Sequence, residues 1–307
     1  MYSFNDLANI LFIEFMTNST ALGIDIGGSH ITAALVDLNT RSIIEGTWNR
    51  TRINSQGEVA DIIDGWAAVI REVFTHASAD VRHIGIGMPG PFDYEHGISL
   101  MKGQHKYDAL YNLNVKELLA TSLGISPEQI RFINDAGCFL QGEVFSGAGR
   151  NHQCVIGLTL GTGLGSAIYR DGAANDANRW CSPFKDGMAE DYLSTRWFVK
   201  RYEEISGETV ADVKALVARI GVDDRIPQLF NEFAVNLGTL LTAFIKEEQP
   251  EIVVIGGNIA NAADLFFPQL KKELEKQQIT VPVVTATLGE AAALIGAASL
   301  WHAFQEA

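Results

Sequence analysis

A glycine-rich turn flanked by two apolar, β-rich runs occurs twice in this chain and constrains its fold more than any other feature. The two copies are residues 24–37, with Gly27, Gly28 and Ser29 at the turn, and residues 158–171, with Gly161, Thr162 and Gly163 at the turn. Each copy is typical of a β-hairpin. Glycine lets backbone N–H groups approach a phosphate closely, and a hydroxyl side chain adds a further contact. The pair predicts that two parts of the chain hold one polyphosphate, which favours a nucleotide-dependent enzyme.

The composition narrows the class of partner. A length of 307 residues suffices for two domains with their own cores. The net charge of −14 argues against nucleic acid as a partner, because that binding depends on lysine and arginine. ATP remains compatible, since backbone dipoles hold phosphate locally. No apolar run is long enough for a membrane span, so no membrane partner is expected. Three widely spaced cysteines favour a reducing cytoplasm and disfavour disulfides.

Helical and strand patterns alternate along the chain, which predicts an α/β class with mixed sheets. We divide the chain into an N-terminal extension at residues 1–20, an N-terminal α/β domain at residues 21–134 and a C-terminal α/β domain at residues 135–289. The final helix, residues 290–306, is expected to pack on the first domain. Met16 directly precedes a polar stretch and the first hairpin, so a native start at Met16 is open beside one at Met1.

Five short motifs together resemble the ROK family of sugar kinases, within the actin-like, hexokinase-like ATPase superfamily. They are a first phosphate loop at residues 25–31, a Pro-Gly-Pro turn at residues 87–91, an Asn-Asp-Ala segment at residues 134–136, a second phosphate loop at residues 161–165 and an adenosine motif at residues 255–260. The resemblance implies a two-domain actin-like (ribonuclease H-like) fold with a cleft between the domains. It also implies an ATP-dependent kinase, glucokinase-like, for a hexose or an N-acetylated amino sugar.

The resemblance implies roles for individual residues. Asp135 would be the general base that accepts the proton of the sugar hydroxyl, although aspartate at this place could also cap a helix. Asp25 would hold Mg²⁺ through water, or would simply close the hairpin turn. ATP would be bound by Asp25, Gly27, Gly28, Ser29, Gly161, Thr162, Gly163, Gly256, Gly257 and Asn258. The sugar would be bound by Asn134, Glu190 and Gly90. Asn134 could instead form an Asx turn, and Glu190 could be an exposed carboxylate in a first helical turn.

The chain departs from the family pattern after the second phosphate loop. The usual Glu-x-Gly-His motif is absent from residues 169–189, and the family's cysteine cluster for zinc is missing, with Cys181 alone nearby. Structural zinc is therefore not expected. Lys102, His105 and Lys106 are expected in a solvated loop, with contact to an acidic or phosphorylated sugar as the alternative. Trp180 and Trp197 are expected to pack in the core rather than stack on a sugar.

Two other functions stay open. The missing Glu-x-Gly-His motif suggests a non-catalytic sugar sensor that acts through a protein partner. An ATPase acting on a non-sugar acceptor is the other alternative. A DNA-binding repressor is disfavoured, because only about twenty residues precede the first hairpin and the charge is acidic. A homodimer is compatible with the family, but the sequence gives no interface signal.

Overall fold

The computed structural model describes residues 20–77 and 83–302. The predicted N-terminal extension and the question of Met16 lie outside these residues, as does the last part of the predicted final helix. Within the described residues, none of the helices combines the length and the apolar character that a membrane span requires.

The elements follow one another in the predicted α/β order. The strands are β1 Thr20–Ile26, β2 His30–Asp37, β3 Ser42–Ile43, β4 Asn49–Arg52, β5 Ile84–Met88, β6 Phe92–Asp93, β7 Ile98–Ser99, β8 Ile130–Asn134, β9 Val155–Leu160, β10 Leu164–Arg170, β11 Ala173–Asp176, β12 Pro183–Phe184, β13 Gly187–Met188, β14 Ile252–Gly256 and β15 Val283–Thr285. The α-helices are α1 Val59–Phe74, α2 Val115–Leu123, α3 Asp135–Ser146, α4 Ala189–Tyr192, α5 Thr195–Ser206, α6 Val213–Val217, α7 Arg225–Glu248, α8 Ala263–Lys276 and α9 Ala291–Ser299. Short 3₁₀-helices cover Asp108–Leu110, Pro127–Gln129, Arg179–Cys181 and Asn258–Ala262.

The described chain forms two compact units, and the first contains the chain up to Ser146 together with the chain from Glu290 onwards. Its sheet has the order β3-β2-β1-β5-β8, with β4 added to β2. Strand β1 pairs antiparallel with β2 and parallel with β5, which in turn pairs parallel with β8. The core of this unit is built around Trp66 of α1, which is fully buried.

The second unit, residues 147–289, has a sheet of the same design. Its order is β11-β10-β9-β14-β15, with β9 antiparallel to β10 and parallel to β14. In both sheets the glycine-rich turn joins the central strand to its antiparallel neighbour, so the two turns occupy equivalent positions in the two sheets. The core of this unit contains the rings of Phe198, Phe230 and Phe233, with Phe198 packed at a tilt against each of the other two.

Helix α9 packs so closely on the first sheet and on α3 that backbone meets backbone. A β-carbon on Gly23 of β1 would lie 1.9 Å from the carbonyl oxygen of Leu294, and one on Gly85 of β5 would lie 1.8 Å from that of Ala297. Between the two helices, a β-carbon on Gly296 would lie 1.9 Å from the carbonyl oxygen of Cys138. These glycines are therefore required by the packing of α9.

Two boundaries differ from the sequence-based prediction. We placed the domain boundary before Asp135, whereas the structure keeps α3 in the first unit and divides the chain after Ser146. The reason is the close packing of α3 on α9, which links the two helices through their backbones. The final helix begins as expected but ends at Ser299, because the next three N–H groups bond to carbonyls three residues back, as in a 3₁₀ turn.

Candidate active site

The carboxyl ends of three parallel strands bring the predicted residues of the first unit to one edge of its sheet. The register pairs Asp25 of β1 with Gly87 of β5, and Met88 of β5 with Asn134 of β8. The first glycine loop follows β1, the Pro-Gly-Pro turn follows β5, and Asp135 follows β8. Ligands in open α/β sheets bind outside such strand ends.

Asn134 is held by protein contacts on both faces of its amide. Its Oδ1 accepts from the backbone N–H groups of Ala136 at 2.9 Å and Gly137 at 3.2 Å, which caps helix α3. Its Nδ2 donates to the hydroxyl of Tyr94 at 3.2 Å, and that hydroxyl donates to the carbonyl of Met88 at 3.0 Å. Asn134 therefore caps the helix, and its bond to the N–H of Ala136 closes the Asx turn that was its alternative role. Gly90 lies beside the same tyrosine hydroxyl.

The carboxylate of Asp135 is not needed to cap helix α3, because Asn134 occupies the N-cap position. Its side chain is exposed at the first residue of α3. Its Oδ1 accepts from the N–H of Ala136 at 2.8 Å, a hydrogen that Asn134 also engages. The carboxylate therefore points out at the sheet edge, with open positions for a ligand hydroxyl.

Asp25 is a half-buried carboxyl whose pKa is raised to about 6. Burial is the main cause, and the negative charge of Asp135 adds to it, while Arg50 acts in the opposite direction. Arg50 of β4 is itself paired with Glu290, with 3.1 Å between Nη1 and Oε2. Sequence patterns missed both of these residues, because their importance follows from contacts across 240 residues of chain.

A carboxyl group whose ionisation is disfavoured by burial and by a neighbouring carboxylate fits a divalent cation. Hard oxygen donors are the ligands that Mg²⁺ prefers, usually with several of its waters retained. The raised pKa of Asp25 shows that the site disfavours two bare negative charges. Asp25 therefore fits Mg²⁺ bound with ATP, and such a cation would keep Asp25 ionised.

At the first glycine loop, the N–H of Gly27 donates to the carbonyl of His30 at 2.9 Å and so closes the hairpin turn, while both glycines leave space for a close approach. Neither Gly27 nor Gly28 has a positive φ, and a β-carbon on either would meet nothing closer than 3.6 Å. Among the described residues, neither a steric contact nor a positive φ requires glycine at these two positions, and glycine permits the close approach of a phosphate. Ser29 is exposed, and its Oγ lies 2.9 Å from Nδ1 of His30.

The nucleotide residues predicted in the second unit meet at the carboxyl ends of β9 and β14. The register pairs Gly256 with Thr159, directly before the second glycine loop. Gly257 has φ +86° and approaches so closely that a β-carbon would lie 2.4 Å from the carbonyl oxygen of Leu160. This close approach and the positive φ require glycine at position 257. The next residue, the exposed Asn258, therefore lies beside the second glycine loop. Around Gly161 there is open space, and Thr162 is exposed.

Glu190 lies on the second glycine loop. Its Oε2 accepts from the N–H of Leu164 at 2.9 Å, and a β-carbon on Gly163 would lie 2.5 Å from the same oxygen. Its Oε1 is paired with Arg196, which the sequence analysis did not single out. The carboxylate is 24% exposed, so it is less open to solvent than an ordinary carboxylate in a first helical turn, although α4 does begin at Ala189. In this arrangement Glu190 supports the loop.

The remaining candidates divide between core and surface. Trp197 is buried against Phe198 and Phe233, as expected. Trp180 is 41% exposed, so the expectation that it packs in the core is wrong. It lies in the 3₁₀-helix Arg179–Cys181, in which none of the three residues is buried. Among the described residues, no three His, Cys, Asp or Glu side chains converge to hold a metal ion, and the expectation about structural zinc stays a prediction.

The model of the ROK family matches residues 21–176 and 173–304 of this chain. The chain belongs to the ROK family. Among curated relatives, a glucokinase of Thermotoga maritima is 28% identical over 91% of this chain and 96% of its own. An N-acetyl-D-glucosamine kinase of Mannheimia succiniciproducens is 27% identical over 91% of this chain and 98% of its own. The predictions of the ROK family and of its α/β actin-like fold are confirmed.

Solved ROK structures have the same fold. A ROK family glucokinase from Streptomyces griseus, in complex with glucose and AMPPNP, aligns with a TM-score of 0.73 and 23% identity over 92% of this chain and 98% of its own. A ROK family transcriptional regulator aligns with a TM-score of 0.73 and 18% identity over 92% of this chain and 77% of its own. At these identities the likeness concerns the fold, which kinases and regulators share.

Proposed function

We propose that this chain is an ATP-dependent sugar kinase with Asp135 as its general base. The enzyme class is supported by sugar kinases that match nearly the whole chain. The observation that carries the role of Asp135 is its exposed carboxylate at the end of β8, released from capping by Asn134.

The proposed reaction is an in-line transfer of the terminal phosphoryl group of ATP. A sugar hydroxyl oxygen forms a bond to the γ-phosphorus while the bond from that phosphorus to the bridging oxygen of ADP breaks. The hydroxyl proton passes to the carboxylate of Asp135, and ADP leaves with the bridging oxygen. The protein contributes positioning and charge, since the phosphoryl group itself needs little covalent help.

ATP would be held by the backbone of the two glycine loops and by Gly256, Gly257 and Asn258. Open space at Gly28 and Gly161 supports phosphate approach at both loops. Mg²⁺ would be held by Asp25 through water, with the charge of Asp135 nearby, and supplies neutralisation of the triphosphate when bound. Glu190 would keep the second loop in place through its bond to Leu164.

The proposed acceptor is a hexose or an N-acetylated amino sugar. Two curated relatives are named for glucose and for N-acetyl-D-glucosamine, and neither exceeds 28% identity, so both sugar types are candidates. Gly90, Asn134 and Glu190 are the proposed sugar residues. Asn134 keeps one amide hydrogen beyond its bond to Tyr94, and that hydrogen is available to a sugar oxygen.

A sugar sensor without turnover is the second candidate. It is favoured by the absence of Glu-x-Gly-His from residues 169–189 and by the fold shared with a ROK transcriptional regulator. The two candidates differ in one observable, since a sensor binds sugar without forming ADP.

The test is ADP formation from Mg-ATP across a panel of glucose, mannose, N-acetylglucosamine, N-acetylmannosamine, N-acetylgalactosamine and their phosphates. Sugar-dependent ADP together with a phosphorylated sugar in the mass spectrum would support the kinase. Isothermal titration with the same panel measures sugar binding, which a sensor would show without turnover. Tight sugar binding without ADP formation would overturn the kinase and favour the sensor.

A further inference from the structure

The loop before the first 3₁₀-helix is fixed to the first glycine loop by Tyr107. The ring of Tyr107 is fully buried and packs edge-on against Trp66, with 5.3 Å between the ring centroids. Its hydroxyl donates to the carbonyl of Gly27 at 2.5 Å, and its backbone N–H donates to the carbonyl of Ser55 at 2.6 Å. Burial raises the pKa of Tyr107 well above its usual range, so the hydroxyl keeps its proton and remains a donor.

This anchor sets the position of the neighbouring lysine. Lys106 is half-buried, and its Cδ lies 3.8 Å from where a β-carbon on Gly28 would be. On the other side, Gln56 donates from Nε2 to the carbonyl of His105 at 3.0 Å. His105 and Tyr107 both have positive φ, at +58° and +56°, which non-glycine residues adopt only when tertiary contacts require it. The fold therefore places Lys106 on the glycine loop.

The charge of Lys106 is not used by the protein itself. Within residues 20–77 and 83–302, no carboxylate or carbonyl pairs with its ammonium. Arg50 of β4 is engaged by Glu290. Lys102 in the same loop has its ammonium 4.8 Å from the ring centroid of Tyr111. A lysine whose ammonium has no partner in the described chain, and whose side chain lies against Gly28 of the loop, fits an oxyanion.

We propose that Lys106 binds the terminal phosphoryl group of ATP and stabilises the charge on its oxygens during transfer. This inference rests on the proposed kinase function. It extends that function by adding a cation to a site that otherwise holds the carboxyls of Asp25 and Asp135. Lys106 keeps its proton throughout, so the balance of the transfer step is unchanged. An acidic substituent on the sugar is the alternative ligand, and the experiment separates the two.

The test compares Lys106→Met and Lys106→Arg with the matched control Lys102→Met, which removes an ammonium from the same loop. Titration calorimetry without any sugar compares the affinities for Mg-AMPPNP and Mg-ADP. Only AMPPNP carries the terminal phosphoryl group, so the difference between the two affinities reports the contact with that group. We expect Lys106→Met to weaken the binding of AMPPNP about tenfold to a hundredfold, since a charge-assisted hydrogen bond is lost. The affinity for ADP should change much less. Lys106→Arg should retain part of the affinity, and Lys102→Met should equal wild type.

The inference is overturned if Lys106→Met binds AMPPNP as wild type does, or if it loses AMPPNP and ADP equally. It is also overturned if the only loss is in KM for the sugar, which would place the lysine at the acceptor. Failure of the proposed function looks different, because wild type itself would then form no ADP with any sugar of the panel. Melting temperatures of all variants confirm that each is folded.

Discussion

At the scale of single residues, substitutions at the glycines of the two loops can change nucleotide binding without changing the stability of the fold. Gly28 and Gly161 have no positive φ, and a methyl group on either would have room. Substitution by alanine should therefore leave the melting temperature nearly unchanged. If phosphate approaches the backbone there, the added methyl group should weaken Mg-AMPPNP binding by about tenfold or more.

Calorimetry and thermal melting of Gly28→Ala and Gly161→Ala check this. The matched control is Gly46→Ala, at an open loop position with φ +79°, which should cost some stability and leave nucleotide binding intact. Unchanged nucleotide affinity in both loop variants would remove the argument for phosphate contact.

The raised pKa of Asp25 makes the stability of the folded protein depend on pH. Its pKa in the folded protein, about 6, lies above its ordinary value of 3.8, so the folded state favours the protonated form. Stability from this group is present at low pH and is lost as pH rises through the range from about 4 to 6. The higher pKa of Asp25 in the folded protein corresponds to about 3 kcal/mol in the free energy of unfolding. Asp25→Asn should therefore be more stable than wild type at pH 7 to 8, with the difference vanishing near pH 4.

Denaturant unfolding at several pH values, without Mg²⁺, measures this difference. Asp61→Asn, which changes an exposed carboxylate on α1, is the matched control and should show no such pH dependence. Asp25→Asn should also lose most Mg-ATP turnover, because its carboxylate is the proposed Mg²⁺ partner. A variant that is less stable than wild type at pH 8 would contradict the described electrostatics.

At the scale of elements, the packing of α9 on the first sheet depends on glycine. Gly85→Ala would drive a β-carbon to within 1.8 Å of the carbonyl oxygen of Ala297, which only a shift of the helix or the strand could relieve. We expect a loss of about 3 kcal/mol or more, and a melting temperature lower by about 6 °C or more.

Gly65→Ala is the matched control, because Gly65 lies in the middle of α1 with nothing within 4 Å of the added carbon. It should stabilise the protein by about 0.8 kcal/mol through helix propensity. Equal effects of the two substitutions on thermal unfolding would show that the close packing of α9 is wrong.

The elements that the sequence predicted well are those with strong local signals. Helix α2 has such signals at both ends, because Asn114 caps its start and Gly124 ends it with a positive φ. The hairpin β12–β13 was missed, since it is held by side chains outside it, with Asp191 accepting from the N–H of Met188 at 2.9 Å. Placement of α3 was likewise a question of tertiary packing, which no local pattern of residues 135–146 contains.

At the scale of the whole molecule, the repeated hairpin and five motifs were enough to predict the fold and the family. They also placed Asp25, Asp135 and the glycine loops at strand ends, where the structure has them. They could not place Lys106, because its neighbour Tyr107 meets Gly27 across 80 residues of chain. Nor could they assign the helix cap to Asn134 rather than Asp135, since both residue types favour that position.

The central claim is that Asp135 removes the proton from a sugar hydroxyl, and steady-state turnover of Asp135→Asn tests it most directly. With the best sugar of the panel, we expect kcat to fall by about 10² to 10⁴, the usual contribution of general base catalysis. Binding of Mg-AMPPNP and the melting temperature should stay close to wild type, because the side chain is exposed and does not cap α3. A folded variant with turnover near that of wild type would contradict the account.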